Sequence, residues 1–446
     1  MTQPLTRHNR ARQVLDEIAA ANAPLSDAER AARFAALAAS PQRFFRATNH
    51  RYWQDVWHDW RFALFGGLPE TQTWLQGDAH IETFCAYGRH DEAVRYGLLD
   101  ADDALIGDYQ YDLWRLATSL VLDARGNAEL SGKAVRKALT ALANGYHSEL
   151  ARHGEERVPD AVTPATAKGP LGPFLRKVDA KQGRAGLLDA WTEAGDEGRR
   201  FAARPDTLAG LPAHLTSQLR KAVEGEYRQT LRGALEGQEA GQWRVKDTAR
   251  RVDAGSGSPG RERYLVLLEG GAQGEHDDVI LEVTQQTPPA GWQMMDSAEK
   301  RAWRRAFPHE GMRHAAACVA FAAHPDPYLG WLHLGEAVFA VRERAFCQVP
   351  FPTHRLHGGK RYRKLAKQWG RLLARAHLRG GHALNPDDPG RFARSVAARV
   401  EGQQERCVAM LTHLALDYAD CIDQDYRTFL TWHEAGVEGV DHVLND

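Results

Sequence analysis

Cysteine is scarce. Five occur in 446 residues, at Cys85, Cys318, Cys347, Cys407 and Cys421, with no C-x-x-C pair among them. That excludes a disulfide framework and a zinc knuckle, and suits a reducing compartment. An excess of charge is also missing, since 57 Lys and Arg stand against 58 Asp and Glu. A surface that grips nucleic acid or an anionic membrane by bulk charge is therefore not expected. No apolar run approaches the roughly 20 residues of a membrane span; the longest is "AAACVAFAA" at 315–323. The opening "MTQPLTRHNRAR" lacks the apolar stretch of a secretory signal, so a cytoplasmic location is expected. There is no internal repeat, heptad array or low-complexity tract either.

What is present is a chain longer than one core usually covers, which predicts two or three subdomains. "LSDAERAARFAALAAS" (25–40) reads as a helix with Ser26 and Glu29 as its capping box. Residues 41–64 read as a second helix carrying aromatics and Arg46. Short strands and loops fill 71–120, overlapping a helix that runs from Tyr111 to about Leu150. The Pro- and Gly-bearing 158–174 reads as a long loop, and 175–238 as charged helix. From Trp243 the pattern turns to strands, "WRVKDTARRV", "RERYLVLLEGG" and "DDVILEVTQQ". Helices are expected again over 297–323, strands over 330–345, and helices over 360–380 and 390–430.

Three stretches carry chemistry. "LQGDAHIETF" (75–84) sets Asp78 and His80 just after a turn glycine. Asp78 could orient a substrate hydroxyl and accept its proton while His80 braces the loop; otherwise the pair is a turn aspartate and a structural histidine. "LLDADDALIGDYQYDLWRL" (98–116) puts Asp100 and Asp102 on one side of an extended segment, where two carboxylates could hold Mg²⁺. The plain alternative is a solvated hairpin loop through Asp102, Asp103 and Asp108, with Asp112 capping the helix that follows. "DAGSGSPGRERYLVLLEG" (253–270) contains G-x-G-x-x-G at Gly255, Gly257 and Gly260 with a strand after it. A dinucleotide fingerprint needs a helix there. The order strand–glycines–strand is that of a loop whose amides cover nucleotide phosphates, or of a Gly/Ser hairpin connection.

These stretches resemble the hallmark blocks of the bacterial DUF2252 family. "SPQRFFRA" (40–47), "VKDTARRVDAGSGSPGRERYLVLLEG" (245–270), "DPYLGW" (326–331), "LLARAHLRGG" (372–381) and "YADCIDQDY" (418–426) support it in order. The resemblance spans roughly 40–430. That family in turn resembles the protein-kinase-like and aminoglycoside-phosphotransferase-like fold. A kinase chain runs glycine loop, lysine strand, helix, two strands, hinge, long helix, catalytic loop and metal loop. Here the catalytic-loop candidate precedes the glycine loop. Joining the chain after about residue 381 to the N-terminal block restores the order, which implies a circular permutation.

The resemblance implies that Asp78 is the catalytic-loop aspartate, with His80 beside it, and that Asp100 is the metal-loop aspartate, with Asp102 its neighbour. Gly255, Ser256, Gly257, Ser258 and Gly260 would form the phosphate loop. Three positions depart from the pattern. Thr83 stands where a metal-binding asparagine is expected, Thr284 stands in place of the phosphate-pairing lysine, and Ala316 replaces that lysine's acidic partner. Lysine and glutamate are lost together, as the cost of an unpaired buried charge would favour. Lys246, Arg251, Arg261 or Arg263 are candidates to replace the lysine. The block around Arg46 makes it a phosphate contact or, equally, a helix-surface arginine in a salt bridge.

The fold expected is α+β: a two-lobe, kinase-like, permuted architecture with a mostly helical large lobe and a small antiparallel-sheet lobe. The units expected are a helical extension (1–40), the first part of the helical lobe (41–157), a linker and helical insertion (158–240), the strand-rich lobe (241–346) and the rest of the helical lobe (347–446). The function expected is ATP/Mg²⁺-dependent phosphoryl or nucleotidyl transfer to a hydroxyl acceptor of unknown identity. One alternative is an inactive nucleotide-binding scaffold, and another is a metal-dependent hydrolase that uses the Asp/His cluster.

Overall fold

In the computed structural model, residues 7–435 are described except 90–92, 154–157, 181–182, 196–197, 232–242, 253–259, 271–276 and 357. The chain is mixed α and β, with more helix than strand. The described strands are β1 (Gln72–Leu75), β2 (Phe84–Gly88), β3 (Arg95–Leu98), β4 (Leu105–Asp108), β5 (Thr192–Gly195), β6 (Gly198–Phe201), β7 (Leu208–Ala209), β8 (Val245–Arg251), β9 (Arg263–Leu268), β10 (Val279–Gln285), β11 (Gly330–Leu334), β12 (Ala337–Glu343) and β13 (Cys347–Pro350). No helix among the described residues is long and apolar enough to cross a membrane.

The largest sheet has six antiparallel strands in the order β11-β12-β10-β9-β8-β7. Its two faces follow from period-two alternation. Val279, Leu281 and Val283 of β10 join Tyr264, Val266 and Val341 in one apolar cluster, capped by Leu219, Val223 and Tyr227. Leu265, Leu267 and Ile280 face the other way, against Leu188, Phe201 and Leu208. Farther along that second face, apolar side chains give way to charged ones: Glu282 stands opposite Arg342, and Thr284 sits between Arg263 and Ala340. This polar end forms one wall of the site below.

Helices make up the rest. The Gly359–Leu384 helix packs on the Gly132–His153 helix at close range, because a Cβ on Gly370 would lie 2.1 Å from the Leu142 carbonyl oxygen. The long helix also meets β1, where the Thr73 hydroxyl donates to the His377 carbonyl at 2.6 Å. Segments 300 residues apart in sequence thus adjoin at the start of the Gly77–Asp78 loop.

Several expectations need adjusting. The capping box at Ser26 and Glu29 is present. The helix expected over 41–64 is three helices, Pro41–Ala47, Asn49–Val56 and Phe62–Phe65. Thr48 leaves helical geometry (φ −113°, ψ 39°), and His58 takes a left-handed φ of 55°. Within 175–238, read as helix, lie the β5–β6 hairpin and β7, the outer strand of the large sheet. That sheet therefore draws on residues before 241.

Candidate functional site

The Asp78 loop is fixed from beneath. Gly77 has φ +82°, and a Cβ there would lie 1.8 Å from the Asp103 carbonyl oxygen, so only glycine fits. Asp112, expected as a helix cap, instead accepts the backbone N–H groups of Gln76 (2.6 Å) and Gly77 (3.0 Å). His377 Nε2 lies 3.2 Å from the same carboxylate, and its Nδ1 is 2.7 Å from the Tyr146 hydroxyl. Asn49 and Trp53 donate to the Gly77 carbonyl at 3.1 and 3.0 Å.

Asp78 itself is paired with Arg115, whose Nε donates to Oδ1 at 2.8 Å. Arg115 is fully buried, with its guanidinium over the rings of Phe45 and Tyr52. Burial pushes the Asp78 carboxyl up to about 7, and Arg115 pulls against that rise. His80 is buried and held neutral, first by desolvation and then by Arg46 and Arg115. Its Nδ1 lies 3.2 Å from the Glu82 backbone nitrogen, and its Nε2 lies 3.7 Å from Asp78 Oδ2. Arg46 Nε lies 3.1 Å from that same Nε2, and Arg46 forms an ion pair with Glu82. Thr83 is buried, and its hydroxyl donates to the His80 carbonyl at 2.6 Å.

The second acidic stretch folds back beside the first. Asp100 is exposed and takes a left-handed φ of 72°, unusual for a residue with a side chain. Its Oδ1 accepts the Asp102 N–H at 3.2 Å. Although the residue is exposed, its carboxyl is crowded by the atoms of the cavity wall, which raises it, and the Asp102 charge adds to the shift. Desolvation would raise Asp102 too, but the charges of Arg261 and Arg342 hold it well below the usual range. Arg261 reaches its Oδ2 at 3.2 Å, and Gln286 Nε2 donates to Oδ1 at 3.1 Å. Asp103 and Asp108 are structural instead. Asp103 accepts from Ala290 N and Asn49, and Asp108 from Gly67 N, Thr71 and Gln110 N.

Both walls meet at a cavity of about 440 Å³. Arg46, Glu82, Asp100 and Asp102 line one side; Arg251, Arg263, Glu282, Thr284, Gln286, His314 and Arg342 line the other. Burial would raise Glu282, but Arg342, Arg344 and Arg251 keep it ionised. The Arg342 pair is the closest of these with a normal length, 3.1 Å. Burial drives His314 down to about 3, so it stays neutral beside Asp102.

Of the expected site residues, the structure brings Arg46, Asp100, Asp102 and Thr284 to one cavity. Asp78 and His80 adjoin it through Arg46, and Thr83 does not line it. Gly255, Ser256, Gly257 and Ser258 lie outside the described residues, while Gly260 is described, with φ +73°. Lys246 is spent on buried Asp278 at 2.9 Å. Sequence reasoning missed Glu282, Arg342, Arg344 and Arg313. The available signal was Glu282 alone in the apolar run "VILEV" and the arginines two apart in "VRER"; Arg313, within a helix, had none. Among the described residues, no three His, Cys, Asp or Glu side chains converge as a metal site. Asp100 and Asp102 offer two carboxylates, which suits a cation that completes its shell with water and phosphate oxygens.

A family model described as an uncharacterized protein conserved in bacteria (DUF2252) matches residues 27–431. No curated protein and no solved structure matches the chain.

Proposed function

The chain belongs to the DUF2252 family, and on that premise we propose that it is a kinase-like, ATP- and Mg²⁺-dependent phosphotransferase that acts on a hydroxyl. The observation that carries this reading is the shared cavity, with Asp100 and Asp102 on one wall and a cluster of arginines on the other. The order of elements supports it as well. After β9 and β10 come the Glu310–Phe321 helix, β11, β12 and the long Gly359–Leu384 helix, and that helix abuts the strand leading to Asp78. This is the adjacency a permuted kinase-like chain requires.

The residues present fit the group. Carboxylate oxygens of Asp100 and Asp102 would hold Mg²⁺, and Arg251 and Arg342 would face phosphate oxygens. Bound Mg²⁺ and ATP supply the transferable phosphoryl group and offset its charge. Asp78 orients the acceptor hydroxyl and accepts its proton. A carboxyl near 7 suits a base working at neutral pH. Arg115 fixes the carboxylate's direction, and neutral His80 adds no competing charge. Most of the rate enhancement would come from positioning and electrostatics.

Two observations favour a second reading, nucleotide binding without turnover. Thr284 stands where a lysine would pair with phosphate, and the Thr83 hydroxyl is committed to the His80 carbonyl. Thermal stabilisation by ATP with and without Mg²⁺, followed by an acceptor screen, separates the two. The phosphotransferase reading predicts Mg²⁺-dependent stabilisation, turnover whose acid limb lies near pH 7, and loss of turnover but not of the thermal shift in Asp78→Asn. Stabilisation with no acceptor consumed supports the scaffold. No shift with any nucleotide sinks both.

A further inference from the structure

We propose that Arg263 is the anion-binding residue of the cavity, and that with Arg342 it takes the phosphate-holding role for which position 284 supplies no lysine. The proposal rests on the phosphate-ligand reading above and names the side chain that reading leaves open.

Register sets the geometry. Arg263 of β9 lies directly across from Thr284 of β10, and Arg342 of β12 lies across from Glu282, one alternate position along. All four side chains project from the same face of the sheet. Directly paired residues hold their Cβ atoms about 4.5–5.5 Å apart. A guanidinium on β9 therefore covers the space that a lysine at 284 would fill, and Ala340 leaves the other flank of Thr284 open.

Charge distinguishes Arg263 from its neighbours. Arg46 is paired with Glu82, and Arg251, Arg342 and Arg344 all converge on Glu282. The Arg263 side chain lines the same cavity and feels the Glu282 charge, yet no side-chain hydrogen bond or close ion pair holds it among the described residues, and its Nε is sealed from solvent without an acceptor. A buried donor left without an acceptor is costly, and native structures seldom keep one. An incoming oxyanion removes that cost. A phosphate also accepts two parallel N–H groups from one guanidinium, a geometry an ammonium cannot supply. Glu282 meanwhile holds Arg342 and Arg344 in place and limits repulsion among the arginines. The ligand class that satisfies this wall is a polyphosphate chain, either free or carried on a nucleoside.

Calorimetric titration of the full-length protein with ATP and with inorganic tripolyphosphate, both with Mg²⁺, tests the assignment. Arg263→Gln is expected to weaken both by about tenfold to a hundredfold, the range of a lost charge-assisted hydrogen bond. Arg263→Lys should keep the charge but not the fork and recover part of the loss. Thr284→Lys in the Arg263→Gln background should recover part as well, by restoring a cation at the vacated place. Tripolyphosphate binding within twofold of wild type in both Arg263 variants overturns the proposal; should the Gln variant fail to fold, the Lys variant alone decides. The two readings fail separately. Tripolyphosphate binding without ATP binding removes the ATP-dependent phosphotransferase and leaves Arg263 standing, provided its variants weaken the binding. ATP binding that ignores both variants does the reverse.

Discussion

Replacing Arg313 by methionine removes a guanidinium that no solvent reaches and that ties the Glu310–Phe321 helix to the carboxylate loop. Its Nη1 donates to the Ala101 carbonyl at 2.6 Å and the Ala104 carbonyl at 3.3 Å. Nη2 reaches the Asp102 carbonyl at 2.9 Å, and Nε reaches the Glu310 carboxylate at 2.8 Å. Methionine fills similar length with no donor, so three loop carbonyls and one carboxylate lose a donor together, although the Ala101 carbonyl keeps the Ala104 N–H. Each buried acceptor left unmade costs about 1–3 kcal/mol. Partial re-solvation of Glu310, which is 15% exposed, and some movement of the loop reduce the sum. The expected loss is about 3–5 kcal/mol, the range for breaking a buried ion pair from one side. Urea unfolding followed by fluorescence reads this as a lower midpoint at unchanged slope. Arg313→Lys, which keeps the charge without the fork, should fall between wild type and methionine. Ligand-free thermolysin digestion should also cut near 100–104 sooner in the methionine variant. A loss below about 1 kcal/mol, with no new cleavage, would mean that the loop holds its shape without Arg313.

Gly77→Ala should lower the melting temperature and cost about 2 kcal/mol or more, because a left-handed φ and a Cβ 1.8 Å from the Asp103 carbonyl act together; an unchanged melting curve contradicts the loop geometry. Burial drives His147 down to about 4, below its unfolded value near 6.5. The neutral ring is the folded form, so its stabilisation is complete above pH 6.5 and is lost as pH falls toward 4. His147→Gln should therefore flatten the acid side of the stability profile by about 2–3 kcal/mol between those values; parallel profiles for wild type and variant refute it.

Local signals were legible where the partners are close in sequence. Ser26 and Glu29 are three residues apart and form the box their spacing implies. The alternation in "RYLVLL" and "VILEVTQ" gave two central strands. The β5–β6 hairpin stayed hidden because "TEAGDEGRRF" is polar on both faces and shows no period of two. The breaks at Thr48 and His58 depend on backbone angles that neither residue type announces. Asp112 looked like a helix cap because its real partners, the amides of Gln76 and Gly77 and the imidazole of His377, lie 35 or more residues away. Arg115 sits in the apolar run "LWRLATSL" and reads as a packing position's neighbour until Asp78 is placed against it.

A lysine paired with a helix glutamate would do two things in one contact: present a cation to phosphate and lock the helix to the sheet. On the proposed reading, this chain divides them. Arg313 locks the Glu310–Phe321 helix, but to the Asp100–Ala104 loop, through backbone carbonyls that no substitution can remove. Arg342 is braced by Glu282 from the neighbouring strand, whereas Arg263 feels that charge without a close ion pair and keeps a buried Nε with no acceptor among the described residues. The absence of both Lys at 284 and Glu at 316 then follows from electrostatics. Either charge alone would face an arginine-rich wall or a half-buried helix position without a partner, and that costs more than losing both. The division also separates two effects in experiment. Changes at Arg313 should act through loop position and stability, and changes at Arg263 through anion affinity alone.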